Sequence, residues 1–186
     1  LRYSPSGRPV GLMDLLTLEH VAQALGLVGF FVSLAGYTSA SDRRLKAMMT
    51  VGLVFLTVHF MVFGAWLVAL NLTLNTGRTW LSLHRRGFRW FIGIAAVQLA
   101  VSLPLMGAVR DVFPVAGSIM GTYALYCLSG VQLRVALLVT TGLWFVNNLL
   151  WGSIGAMLLD FMNALANLVA IRRIRAAERG AEAEGS

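Results

Sequence analysis

Charged residues, cysteine and lysine are scarce in this sequence, and each scarcity excludes a class of protein. Charged side chains make up 12% of the 186 residues and hydrophobic ones 58%, which leaves too few charges for the surface of a soluble domain. The single cysteine, Cys127, excludes an intrachain disulfide. The only lysine, Lys46, falls in an expected loop, which excludes a retinal Schiff base inside a helix. The composition therefore predicts an integral membrane protein of another kind.

Catalytic and metal-binding patterns are missing as well. The chain has three histidines, one cysteine and no HExxH sequence, which argues against a membrane metalloenzyme. An intramembrane aspartyl protease needs two aspartates, and Asp160 alone is expected inside the membrane. We therefore expect no enzymatic activity, no metal and no cofactor. The basic residues are divided among loops without interleaved exposed aromatic residues, so we expect no nucleic-acid partner either.

Long apolar runs are what the sequence contains instead. A helix of roughly twenty apolar residues crosses the hydrocarbon core of a bilayer. Seven such runs occur, at about 20–38, 47–66, 67–83, 90–108, 112–129, 132–151 and 153–171. They predict an all-α integral membrane protein with seven transmembrane helices. Residues 1–19 are predicted to be an N-terminal tail with its entry segment, and residues 172–186 a cytoplasmic tail; the extreme ends, 1–11 and 176–186, are expected to be flexible.

Basic residues are divided unequally between the two sets of loops. One set contains Arg43, Arg44, Lys46, Arg85, Arg86, Arg89, Arg134, Arg172, Arg173, Arg175 and Arg179. The other set contains only Arg2, Arg8 and Arg110. Because cytoplasmic loops carry the excess of basic residues, this bias predicts an external N-terminus and a cytoplasmic C-terminus. We attribute most of the net charge of +7 to this bias and to contact with anionic lipid headgroups.

The sequence also contains a weak internal repeat. Sliding the chain along itself by 88 residues superposes Gly29 on Gly117, Ser41 on Ser129, Leu45 on Leu133, Lys46 on Arg134, Val58 on Val146, Gly64 on Gly152 and Asn75 on Asn163. Two repeats of three helices keep the same orientation only if one further helix links them. The predicted architecture is therefore 3+1+3: a first triple-helix bundle at 20–83, a linking helix at 90–108 and a second bundle at 112–171, the two bundles parallel.

Four ordered motifs carry a resemblance to known membrane proteins. They are "GLVGFF…DRRLK", "VHFMVFGAW", "LNTGRT" and "VNNLLWGSIGAMLLD", and with the segments between them they cover about residues 20–175. Their order resembles the SWEET and PQ-loop superfamily of transporters and, at closer range, the bacterial YgjV-type inner-membrane proteins. The resemblance implies a 3+1+3 fold in the bacterial inner membrane. The chain departs from the superfamily in having no Pro-Gln dipeptide; Pro104 falls inside the expected linking helix and Pro114 at the start of the fifth helix.

Polar side chains within the expected spans are the candidate site residues. Helical spacing places three sets of them on single helix faces: Asn71, Asn75 and Arg78 on the third helix; Trp144 and Asn148, with Asn147 beside them, on the sixth; and Asp160, Asn163 and Asn167 on the seventh. His59 lies on the second helix. Because an unpaired polar group in hydrocarbon costs several kcal/mol, we expect these residues to face a bundle interior or a cavity.

One interpretation makes these residues a solute site between the two bundles. Asn75 and Asn163, which the repeat superposes, would approach each other near mid-depth and bind the solute. Four further residues would complete the solute site: Asn147, Asn148, Trp144 and His59. Asp160 and Arg78 would set its charge preference or couple protons to transport.

A second interpretation makes the same residues structural. The amides would join helices by hydrogen bonds, His59 would be a neutral core histidine, and Trp144 would pack against a neighbouring helix. Arg78 would snorkel to the cytoplasmic headgroups or pair with Asp160. The GxxxG pattern at 117–121 permits close helix packing, within the protein first and in a homo-oligomer second.

Two functions follow from these interpretations. The first is a transporter or facilitator of a small polar solute, such as a sugar or a neutral amino acid, that works by alternating access between the two bundles. The second is a non-transporting membrane scaffold or assembly factor that binds a protein or lipid partner. A scaffold should tolerate replacement of its membrane asparagines by leucine, whereas a transporter should fold and lose its function.

Overall fold

The computed structural model describes residues 12–64, 66–150 and 154–184. These residues form seven α-helices and two short 3-10 turns, and they contain no β-strand. The helices are α1 (Leu12–Thr38), α2 (Asp42–Val62), α3 (Trp66–His84), α4 (Phe88–Ser102), α5 (Val112–Cys127), α6 (Gly130–Leu150) and α7 (Ile154–Glu184). The 3-10 turns, Leu103–Leu105 and Val109–Asp111, connect α4 to α5.

Three of these helices are long and apolar enough to cross a membrane. They are the part of α1 from His20 to Thr38, all of α2, and all of α6. The shorter helices α4 and α5 are also apolar. Many large hydrophobic side chains on these helices, such as Phe31, Val97 and Phe145, are exposed, as the surface of a helix in contact with lipid should be.

Helix packing follows the chain in two groups. Helix α1 packs on α2 and α2 on α3, while α5 packs on α6 and α6 on α7. Two further helix contacts, α1 with α7 and α3 with α5, join the groups. The helices α1, α2, α3, α5, α6 and α7 therefore form a closed ring in which each packs on the next. Helix α4 packs against α5.

Small residues allow α1 and α2 to approach closely. A methyl group added at Gly29 would collide with the carbonyl oxygen of Gly52, and one added at Gly52 would overlap the hydroxyl of Ser33. At Gly26, an added methyl group would meet the ring of His59. The crossing of α1 and α2 therefore depends on glycine at these positions.

The GxxxG pattern packs α5 against α6. Gly117 lies against the indole of Trp144, and Gly121 lies against Thr140. The pattern therefore takes part in packing within the protein, and Trp144 packs against a neighbouring helix. The repeat relates this crossing to that of α1 and α2, because it superposes Gly29 on Gly117.

The structure corrects the predicted ends of several helices. Helix α1 begins at Leu12, within the expected tail, because the apolar sequence simply continues in that direction. Helix α7 continues to Glu184, although the seventh span was predicted to end at 171 and a flexible tail was expected from 176, because alanine, glutamate and arginine are strong helix formers. The expected tail at 1–11 and the Gly152–Ser153 turn lie outside the described residues.

The linking helix is shorter than predicted. Helix α4 ends at Ser102, whereas the predicted span extended to 108. Pro104 lies in the 3-10 turn that follows, and not inside the helix, because proline has no N–H to donate to the preceding turn. Pro114 is tolerated in the first turn of α5, where the N–H groups have no partner within the helix.

The most deeply buried cluster lies where α2 and α6 begin. Leu45 and Leu133, which the repeat superposes, belong to one apolar cluster together with Ala124, Ala136 and Leu137. We call this end of the molecule the basic end, because Arg43, Arg44, Arg85, Arg86, Arg89, Arg172 and Arg173 lie in or next to its loops. The cluster ties the two groups of helices together at that end.

Candidate functional site

A pocket of about 340 Å³ lies between α3, α4 and α5. Its polar lining residues are Asn71, Thr73, Asn75, Arg78, Gln98, Ser102 and Ser118. Apolar residues complete the wall, among them Leu74, Val97 and Val101. The described lining contains a guanidinium, amides and hydroxyls but no carboxylate. We refer to this cavity as the α3–α5 pocket.

Arg78 is held inward by α5. Its Nη1 donates to the carbonyl oxygen of Ser118 at 3.1 Å and to Oγ1 of Thr122 at 3.0 Å. The same hydroxyl lies 2.7 Å from Oε1 of Gln98 on α4, and Tyr126 donates its phenolic hydrogen to the Arg78 carbonyl at 2.8 Å. The expectation that Arg78 snorkels to the headgroups is therefore wrong, because hydrogen-bond acceptors on α5 hold its guanidinium inside the protein.

The same guanidinium has unused hydrogen-bonding capacity. Nε of Arg78 is buried and has no hydrogen-bond partner in the part of the chain that the structure describes. The ion pair found among the described residues joins Arg134 to Asp42, so Arg78 has no carboxylate partner there. The alternative expectation of an Arg78–Asp160 pair is therefore wrong as well. A cation in a membrane protein without an anionic neighbour is costly, so the environment of Arg78 bears on the function proposed below.

Asn75 lies in the α3–α5 pocket beside Arg78, as the helical spacing predicts. Its Nδ2 donates to Oδ1 of Asn71 at 2.9 Å, and all three side chains line the pocket. This hydrogen bond orients the Asn75 amide and leaves its carbonyl oxygen available to a ligand.

The polar residues of α6 and α7 form a separate group. Asn148 donates from Nδ2 to Oδ2 of Asp160 at 2.7 Å. The buried Asn147 donates from its own Nδ2 to Oδ1 of Asn148 at 3.4 Å. Oδ1 of Asn163 is buried without a hydrogen-bond partner among the described residues. No described residue of α7 lines the α3–α5 pocket, so the structure does not bring Asn163 into the pocket that holds Asn75.

A second polar centre, which the sequence interpretation missed, joins the two groups of helices at the basic end. Oδ2 of Asp42, at the start of α2, accepts a hydrogen bond from the backbone N–H of Gly130 at 2.8 Å. Oδ1 of Asp42 lies 3.6 Å from Nη2 of Arg134. Lys46 donates from Nζ to the carbonyl oxygens of Leu125 and, at 3.4 Å, Ser82. We call Asp42, Lys46, Gly130 and Arg134 the charged junction.

Both cations of the charged junction are buried. Lys46 is 3% exposed and Arg134 is 0% exposed, whereas both were assigned to loops in contact with headgroups. That assignment is wrong because α2 begins at Asp42 and α6 at Gly130, so each cation lies one turn inside a helix. The lysine caps the carbonyl ends of α3 and α5, where positive charge is favourable. The signal in the sequence was the repeat, which superposes Lys46 on Arg134.

Other polar contacts between the two groups collect at the same end. Arg86 donates from Nη2 to the Leu128 carbonyl at 2.6 Å, and the N–H of Gly87 donates to the Tyr126 carbonyl at 2.8 Å. Arg173 of α7 donates to the carbonyl oxygen of Thr38 at the end of α1. In the described part of the chain, polar contacts between the two groups are therefore concentrated at the basic end.

Comparison with known proteins assigns the chain to a family. The family model for the YgjV bacterial inner membrane proteins matches residues 20–178. The chain belongs to the YgjV family. It is 29% identical over 167 residues to the inner membrane protein YgjV of Escherichia coli strain K12, a match that covers 89% of this chain and 91% of that relative. No solved structure matches the chain. This YgjV-family chain is accordingly a multi-pass protein of the bacterial inner membrane.

His59 of this YgjV-family chain has a structural environment. Its Nδ1 lies 2.6 Å from the carbonyl oxygen of Ala22 on α1, and its ring packs edge-on against Phe60 and Phe63. Asn167, fully buried on α7, donates from Nδ2 to the Arg134 carbonyl at 2.9 Å. These two residues join helices, as the structural interpretation expected of them.

Proposed function

We propose that this YgjV-family protein is a transporter or facilitator of a small polar solute, and that the solute binds in the α3–α5 pocket. The observation that carries the proposal is the guanidinium of Arg78, which has no carboxylate partner among the described residues and lies beside the amides of Asn75 and Gln98. These groups can bind a carboxylate or a hydroxyl-rich solute by several hydrogen bonds at once. Among neutral solutes, a hydroxyl-rich one such as a sugar fits this lining better than a neutral amino acid, because the described lining offers no carboxylate to an ammonium group.

The position of the pocket supports transport more than storage of a ligand. It lies where α3 meets α5, one of the contacts that join the helix groups α1–α3 and α5–α7. A solute bound there contacts both groups, so its binding energy changes with their relative position. We propose that the groups are the two bundles of a 3+1+3 architecture of the SWEET and PQ-loop type, with α4 as the linking helix.

The charged junction supports alternating access between these bundles. Its contacts fasten the basic end, which the distribution of basic residues places in the cytoplasm. We therefore propose that the structure represents the state closed toward the cytoplasm, with the N-terminus outside. Opening to the cytoplasm requires the Asp42–Gly130 and Lys46–Leu125 hydrogen bonds to break together.

Ligand-induced stabilisation in detergent tests the proposed site. Small metabolites are screened against the wild type, Asn75→Ala and Arg78→Gln, with Asn148→Ala as a control that removes an amide outside the pocket. A ligand at 100 times its Kd stabilises the folded state by about 2.7 kcal/mol. We expect solutes that stabilise the wild type and the control but neither pocket variant. Equal stabilisation of all four proteins, or of none, would favour a scaffold.

A further inference from the structure

A groove continues from the α3–α5 pocket toward the basic end. A second cavity of about 760 Å³ is lined by Arg86, Arg89, Trp90 and Gly93, and it shares Ile94 and Val97 with the first. Together the two cavities run along most of α4, from its first turn to Ser102. We call these two neighbouring cavities together the α4 groove.

One side of the α4 groove is open to the surroundings of the helices. Val97 is 59% exposed, Leu74 54% and Val101 52%, although all three line the groove. In a protein of the inner membrane, these apolar side chains face lipid. The polar floor of the α3–α5 pocket would then face hydrocarbon, which is costly for Arg78 and the amides beside it. An apolar chain lying over Val97 and Val101 would supply the missing wall.

The charged residues that line the α4 groove in the described part of the chain are all basic. Arg86 and Arg89 line its end at the basic end of the molecule, and Arg78 lines its middle. Arg85 lies over the ring of Trp90, with 5.5 Å between its Cζ and the ring centroid, which adds a third cation at the basic end. No described residue that lines either cavity is acidic. The groove therefore has cations near the start of α4 and apolar walls along the rest of that helix.

We propose that the α4 groove binds an anionic phospholipid. The phosphate lies between Arg86 and Arg89, and one acyl chain follows Ile94, Val97 and Val101 and covers the open side of the α3–α5 pocket. Charge selects this occupant, because a second copy of the chain would bring the same arginines against each other. Basic pockets on the cytoplasmic side of transmembrane helices bind acidic lipid headgroups in this way. This binding does not depend on transport of a solute.

The test measures binding of short-chain phosphatidylglycerol to the delipidated protein in detergent by native mass spectrometry. Phosphatidylcholine with the same chains and free glycerol 3-phosphate are measured in parallel. We expect phosphatidylglycerol to bind at least tenfold more tightly than either. Equal binding of the two lipids would overturn the proposal. Equal binding of glycerol 3-phosphate would also overturn it, since it would reveal a site for a water-soluble anion.

Two variants locate the lipid, each with a matched control. Arg89→Gln removes one exposed cation and should weaken phosphatidylglycerol binding roughly fivefold, whereas Arg172→Gln, at the same end of the molecule, should not. Val97→Trp fills the groove without changing its charge and should abolish binding. Val135→Trp, at an exposed position of α6, should leave it intact. Identical binding by a variant and its control would contradict the assignment.

Discussion

Asp42 and Gly130 stand 88 residues apart in the chain, and the carboxylate of the first accepts a hydrogen bond from the backbone N–H of the second. This separation equals the offset of the internal repeat, so corresponding positions of the two repeats meet in space. Leu45 and Leu133 obey the same relationship within the apolar cluster. The carboxylate lies at the N-terminus of α6, where negative charge is favourable. The relationship identifies the charged junction as the point where the two helix groups are held together.

Removing the carboxylate of Asp42 should destabilise the protein. Asp42→Asn keeps a side-chain acceptor for the Gly130 N–H but leaves the buried guanidinium of Arg134 without a countercharge. We expect the free energy of unfolding to fall by about 2–3 kcal/mol. This is at or below the lower limit for breaking a fully buried ion pair, because Asp42 is partly exposed. Thermal unfolding in detergent measures it. Arg134→Gln should restore part of the stability in the double variant, and strictly additive losses would contradict a direct coupling.

Lys46 should contribute to stability although it is a cation inside a membrane protein. Lys46→Met removes the donor that reaches the carbonyl oxygens of Leu125 and Ser82 and leaves both without that hydrogen bond. Loss of these charged hydrogen bonds should cost about 1–3 kcal/mol. The control is Arg44→Met, which removes an exposed cation from the same turn of α2. Equal melting temperatures for the two variants would show that Lys46 does not cap α3 and α5.

The crossing of α1 and α2 should tolerate no side chain at Gly52. Gly52→Ala places a methyl group against Ser33 and the Gly29 carbonyl, so the two helices must separate and lose contact. We expect a lower melting temperature and a loss of a few kcal/mol, as for other overpacked interiors. Gly142→Ala is the control, because nothing surrounds that position and alanine favours the helix by about 1 kcal/mol. If Gly52→Ala were as stable as Gly142→Ala, the close approach would be absent in solution.

The sequence predicted those features of the site that depend on one helix at a time. Spacing along α3 placed Asn71, Asn75 and Arg78 together, and the structure confirms that they line one pocket. What hydropathy could not reveal was the role of Lys46 and Arg134, because a charge next to an apolar run is equally expected in a loop. Their burial depends on carbonyl groups and a carboxylate contributed by distant parts of the chain.

The wall of the pocket was also beyond prediction from single helices. Gln98 and Ser118 are unremarkable in α4 and α5, and only the packing of these helices brings them to Arg78. The repeat led to the prediction that Asn75 faces Asn163. In the structure, Asn75 lines the α3–α5 pocket, and Asn163 is not among the described residues that line it. The equivalence of two positions in a repeat does not require them to meet.

Uptake into proteoliposomes tests the central claim most directly, namely that Arg78 and its neighbours form a site for a transported solute. The solute that stabilises the detergent-solubilised wild type is followed as it enters vesicles containing the wild type, Arg78→Gln or Asn148→Ala. We predict uptake by the wild type and by Asn148→Ala, and at least roughly tenfold less by Arg78→Gln, because the charged hydrogen bonds to the solute are lost. Equal uptake by Arg78→Gln and the wild type, with both proteins folded, would contradict the account.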